Sequence, residues 1–165
     1  MEIQNKELHR VVVTAIIVKD GKYLITQRSK NKKAWPLMWT VPGGGIETDD
    51  YINTPKTSGD VWYYALEKTL KREVKEEVML EIGNIKYLLD LAFIRPDGIP
   101  VITLSYYCAW KAGEVVLNEE SESFAWVSFE EAKHYKLIEG ILEEIEMVDK
   151  ILKGEQNIIY GASIR

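Results

Sequence analysis

One segment of this chain, Val61 to about Met79, repeats its apolar residues at helical spacing and lies between stretches dense in β-branched residues. That placement constrains the fold more than any other feature, because a helix set between groups of strands must bury its apolar stripe on a sheet. Arg10 to Val18, the turn Lys19-Asp20-Gly21-Lys22 and Tyr23 to Gln27 read as a first hairpin. A short extended piece at Trp39 to Val41 follows, and Pro42-Gly43-Gly44-Gly45 is expected to end regular structure while letting the backbone approach another group closely. Thr48 to Gly59 reads as a polar loop, long for a compact domain, with Asp60 placed to cap the helix. Ile85 to Arg95 and Ile99 to Trp110 make a second hairpin about Pro96-Asp97-Gly98, and Ser123 to Val127 one more strand. Ser128-Phe129-Glu130-Glu131 has the form of a capping box, and Leu137, Ile141, Ile145, Val148 and Leu152 recur as in a closing helix. The expectation is an α+β or α/β fold, a mixed sheet between helices, as a single domain over residues 1–154 with a loosely ordered tail at 155–165.

Composition narrows the function classes. Lys and Arg number 21 against 26 Asp and Glu, a net charge of −5, so there is no basic surplus to hold a nucleic-acid polymer. If the ligand is nonetheless polyanionic, a divalent cation is the usual neutralising agent. Cys108 is the sole cysteine, which excludes an intrachain disulfide and fits a reducing cytoplasm. The longest uncharged runs, Gly98 to Trp110 among them, fall short of the ~20 residues that cross a bilayer, so no membrane association is expected.

The helix carries the chemistry. With about 100° per residue and Leu66 at zero, Leu70 and Val74 fall at about 40° and about 80°, while Glu73 and Glu77 fall at about −20° and about 20°. Both carboxylates therefore point to the core side, where an unpaired charge costs several kcal/mol unless it meets a partner or a metal. Glu76, at about −80°, can join from the side, and Arg72, at about −120°, can turn back to Glu73. Oxygen donors without histidine or cysteine suit Mg²⁺ or Mn²⁺. The competing reading is a solvated face paired with Lys68, Lys71 and Lys75.

Arg72-Glu73-Val74-Lys75-Glu76-Glu77 resembles the R-E-U-x-E-E portion of the Nudix box, G-x5-E-x7-R-E-U-x-E-E-x-G-U, and Pro42-Gly43-Gly44-Gly45-Ile46-Glu47 resembles its lead-in. Two departures stand out. Counting from Gly44, Asp50 occupies the first glutamate position and is separated from Arg72 by an insertion, and Met79 stands where the box has glycine. The resemblance implies a Nudix-like α/β/α sandwich, Glu73, Glu76 and Glu77 as ligands for Mg²⁺ or Mn²⁺, and Arg72 as the residue orienting Glu73. It implies a base drawn from Glu73 or from a later loop, where Glu119, Glu120 and Glu122 lie, and Glu120 is the residue selected.

Substrate contacts are expected from Arg28 to a phosphate, from the Gly43 and Gly44 backbone, and from Trp39 to a base, although a surface arginine and a core tryptophan are the plainer readings. The function expected is a metal-dependent pyrophosphohydrolase acting on a small nucleotide, a nucleoside triphosphate first, as a monomer or homodimer. The alternative is a non-catalytic nucleotide-sensing module of the same fold. A third reading, isoprenoid diphosphate isomerisation, would have Cys108 as its only thiol.

Overall fold

The structure, a computed structural model, describes residues 4–155. The expected loose tail falls outside the described residues except for Glu155. Strands β1 (Arg10–Lys19) and β2 (Lys22–Arg28) are followed by β3 (Trp39–Thr40) and β4 (Gly43–Gly45). Helix α1 (Ala65–Val78) leads to β5 (Glu81–Ile94), β6 (Pro100–Ala112) and β7 (Ser121–Val127), and the short α2 (Phe129–Ala132) and α3 (Ile141–Leu152) close the fold. The seven strands form one sheet ordered β3-β2-β1-β6-β5, with β4 on β1 and β7 on β2. The pairing of β1 with β6, Arg10 opposite Val101 through Val18 opposite Ala109, is parallel and the others are antiparallel, so the sheet is mixed.

β1 lies inside the sheet with both faces covered. Val13, Ala15 and Ile17 alternate onto one face, where Leu70, Val74 and Val78 of α1 pack, and Ile16 turns to the other face, against Ile141, Ile145 and Val148 of α3. The result is the α/β/α sandwich that the run of β-branched residues in β1 requires, since a strand buried on both sides must be apolar on both.

The first hairpin positions the site. Asp20 and Gly21 both take left-handed conformations, φ 50° and 73°, as a two-residue turn demands. Beyond that turn β1 and β2 pair only at Val18 with Tyr23 and Lys19 with Lys22. They then part, and residues 39–45 thread between them: Trp39 and Thr40 bond to β2, Pro42 accepts from Ala15 N–H at 2.8 Å, and Gly43 to Gly45 pair with β1. The glycine run was expected to end regular structure. It forms strand β4 instead, because the parting of β1 and β2 leaves β1 an open edge that a side-chain-free segment can enter.

Three other expectations are corrected. Helix α1 begins at Ala65, not Val61, because Tyr64 is left-handed at φ 60° and Ser58 bridges Val61 in a turn. Asp60 therefore caps nothing and pairs with Lys56 at 2.5 Å. The closing helix divides: the Ser128 capping box opens a helix only as long as Phe129–Ala132, and α3 starts after Gly140, φ 93°. Among the described residues, no helix is long and apolar enough to cross a membrane.

Candidate active site

The insertion loops out and returns to where it left. Residues 51–64 depart after the short 3-10 turn Thr48–Asp50 and rejoin the chain at the first residue of α1. Asp50 is thereby brought against Arg72, whose Nε and Nη2 both bond its carboxylate, the latter at 3.0 Å, while Thr69 Oγ1 adds a third bond at 2.8 Å. The guanidinium beside it holds the Asp50 carboxyl down at about 2. Arg72 also donates to Gly45 O at 3.2 Å and, through Nη1, to Glu73 Oε1 and Glu76 Oε2, each at 3.0 Å. One guanidinium thus ties the acidic turn, strand β4 and two helix carboxylates together.

Glu73 and Glu77 point from α1 into a cleft beneath β4. A Cβ at Gly44 would overlap the Glu73 carboxylate, and one at Gly43 would overlap Val13 O, so only glycine leaves room here for both the strand and the acid. Gly43 N–H donates to Glu77 Oε2 at 3.0 Å. Glu120 arrives from the opposite side. The loop before β7 is fastened to α1 by Val116 N–H to Val78 O at 3.1 Å and Asn118 N–H to Glu77 O at 3.3 Å, and to the residue that follows β2 by Ser29 N–H to Glu120 O at 2.8 Å. Glu122 is turned elsewhere, accepting from Ser29 and Lys30.

The charges are poorly compensated. Burial pushes Glu77 up to about 8, with Glu73 and Glu120 adding to the rise and Gly43 opposing it. Burial also raises Glu73 against the pull of Arg72. In Glu120 burial is outweighed by Lys32, 2.5 Å away, so its carboxyl stays low. Carboxylates driven together in this way are what a divalent cation relieves, and the donor set is all oxygen. Among the described residues no three acidic, histidine or cysteine side chains already form a closed ligand cluster. The sequence expectation had Glu76 joining Glu73 and Glu77. In the structure Glu76 lines the cleft with them from the guanidinium side of the helix, exposed and bonded to Arg72.

The rim is basic. Arg28 ends β2, donates Nε to Ala34 O at 3.0 Å, is lowered by burial, and lines the cleft with Arg10, Lys32, Lys33 and Arg95. Trp39 does not reach it: the ring packs on Tyr135 at 4.8 Å, edge to face, in the core beneath α3. Trp35 and Phe93, 5.8 Å apart, line the cleft instead. Trp35 belongs to the aromatic-rich stretch before the glycine turn from which base stacking could be expected, whereas Phe93 was not legible as a site residue because it comes from the far end of β5. Cys108 is buried in the core under α1 with its thiol pushed up to about 12, remote from the cleft, which leaves the isomerisation reading without its nucleophile.

A mixed α/β/α sandwich, an acid-bearing helix beneath a glycine strand and an arginine joining the halves of a divided box define a class: the chain belongs to the Nudix family. The NUDIX domain model matches residues 8–148. The nucleoside triphosphatase NudI of Escherichia coli (strain K12 / DH10B) is 30% identical over 138 residues, covering 78% of this chain and 88% of that protein. Among solved structures, the MutT NUDIX hydrolase of Burkholderia pseudomallei superposes with a TM-score of 0.68 at 22% identity, covering 85% of this chain and 98% of the other. The MutT protein of Methanosarcina mazei Go1 gives 0.66 at 23%, covering 88% and 96%.

Proposed function

We propose that the chain is a Mg²⁺- or Mn²⁺-dependent pyrophosphohydrolase acting on a nucleoside triphosphate, releasing pyrophosphate, in the cytoplasm. The observation that carries this is the convergence of Glu73, Glu77 and Glu120 beside a basic rim, one set of groups suited to a cation and the other to phosphates. The substrate class is supported by the 30% likeness to a nucleoside triphosphatase.

Glu73 and Glu77 would hold the cation, which when bound neutralises charge building on phosphoryl oxygens and acidifies a coordinated water. Arg72 fixes the Glu73 carboxylate by a bond to Oε1, and among the described residues Oε2 has no hydrogen bond. Glu120, held low by Lys32, is an acceptor at neutral pH and is placed to take a proton from the attacking water. Arg28 sits between the acids and the wider part of the cleft, where a phosphate bridging the two would lie. The Gly43 and Gly44 backbone lets the chain of phosphates approach without a side chain in the way.

Glu77→Gln should lower metal-dependent turnover by about 100-fold or more, in line with losing a group that acts on the transition state. Release of pyrophosphate, phosphate and monophosphate is followed separately with each cation. Unchanged turnover in that variant would overturn the assignment of the helix carboxylates.

A further inference from the structure

Beyond the acidic cluster the cleft widens to about 1000 Å³ between the sheet and α3. Its floor is made by the residues of β1 and β6 that face α3, and at this end they change from apolar to hydroxyl: Thr14 and Thr103 line it, while Ile16 and Tyr107 lie further along in the core. One acid lies against this floor. Glu144, on the first turn of α3, is 3% exposed, and no lysine, arginine or histidine among the described residues bonds it. Its Oε2 accepts from Ser105 Oγ, and Ser105 Oγ and Thr14 Oγ1 are 2.8 Å apart. Because the Ser105 proton is directed to Glu144, the shared bond requires Thr14 to donate to Ser105. Burial raises the Glu144 carboxyl and the Ser105 bond opposes that rise; with the acid ionised, both hydroxyl protons run toward it. Among the described residues Oε1 has no hydrogen bond, and Glu144 is one of the side chains that line the cleft.

We infer that Glu144 determines base preference: its Oε1, fixed by the Thr14–Ser105 chain, accepts a hydrogen bond from an amino group on the edge of the nucleobase held in the cleft. This rests on the nucleotide-hydrolase reading above. The cleft has the form such a ligand needs, with Trp35 and Phe93 offering ring faces and Arg28 leading to the acidic cluster where the phosphates would lie. A buried acceptor rejects an edge that presents oxygen in the same place, because oxygen would face oxygen with no water between them. The preferred substrates are therefore amino-bearing bases over their carbonyl counterparts.

The test compares matched pairs that differ by amino against carbonyl at one ring position, CTP with UTP and ATP with ITP. In the parent chain with Mg²⁺, kcat/KM should favour the amino member of a pair by about tenfold or more. Glu144→Gln, whose amide can donate, should shrink that ratio at least tenfold, mainly through KM, and Ser105→Ala, which frees Oε2, should shrink it by a smaller factor. Calorimetric binding of CMP and UMP without metal supplies the same comparison apart from turnover. No hydrolysis of any nucleotide together with selective binding of CMP would overturn the hydrolase reading and leave Glu144 in place. Hydrolysis with a ratio unchanged in Glu144→Gln would do the reverse. Should that variant not fold, an unchanged ratio in Ser105→Ala overturns the inference, as does a parent chain that does not discriminate within either pair.

Discussion

Asp50 and Arg72, 22 positions apart, make the ion pair on which the local order of the site depends. The folded value of about 2 for Asp50 lies below the unfolded value of about 3.9. A carboxyl depressed in this way contributes stability that is present above the unfolded value and is lost as pH falls through the folded one. Asp50→Asn should therefore cost about 2 kcal/mol at neutral pH. The gap between variant and parent should close between about pH 4 and about pH 2. Urea midpoints measured across that range check this, and a gap undiminished at the acid end would remove the pair as its cause. The acidic position could be read from its offset after Gly44, but its partner could not, since the intervening residues 51–64 hide the spacing.

At the scale of elements, the insertion and the end of α1 are the two departures from the family pattern, and each has a physical reading. The insertion is fastened mainly to itself: Tyr51 packs on Trp62 at 5.4 Å, and Trp62 Nε1 donates to Thr54 O at 2.9 Å. Joining Asp50 directly to Ala65 restores the box spacing, so a chain lacking residues 51–64 should remain folded, with far-UV dichroism unchanged and a Tm within a few degrees of the parent. A wholly unfolded deletion variant would show that the insertion is part of the core. Met79 takes the left-handed conformation, φ 60°, that ends α1 and that glycine adopts without strain. A side chain there costs about 1–2 kcal/mol, partly offset by the extra freedom glycine gains when unfolded. Met79→Gly should raise Tm by about 2–4 °C, and a fall on calorimetry would place the strain elsewhere. The sequence reading located both departures, yet the helix start was misplaced by four residues because Tyr64, which stops it, carries no local signal.

For the whole molecule, β1 joins the two halves of the core, since Val13, Ala15 and Ile17 belong to the cluster under α1 and Ile16 to the cluster under α3. Leu70→Ala, in the fully buried face of α1, should cost about 2–5 kcal/mol. It should still unfold in one transition, with tryptophan fluorescence and far-UV dichroism superimposable; separate transitions would show that the halves melt independently. The sequence by itself determined the alternation of β1, the sandwich class and the acidic face of α1, because periods of 2 and about 3.6 residues fix which side chains share a face. It did not determine which acids meet. Glu120 comes to Glu77, Asp50 to Arg72 and Glu144 to Ser105 only after β1 and β2 part and distant loops are tied back by backbone hydrogen bonds. Such meetings between remote positions are chosen by the packing of the whole chain, and no local periodicity encodes them.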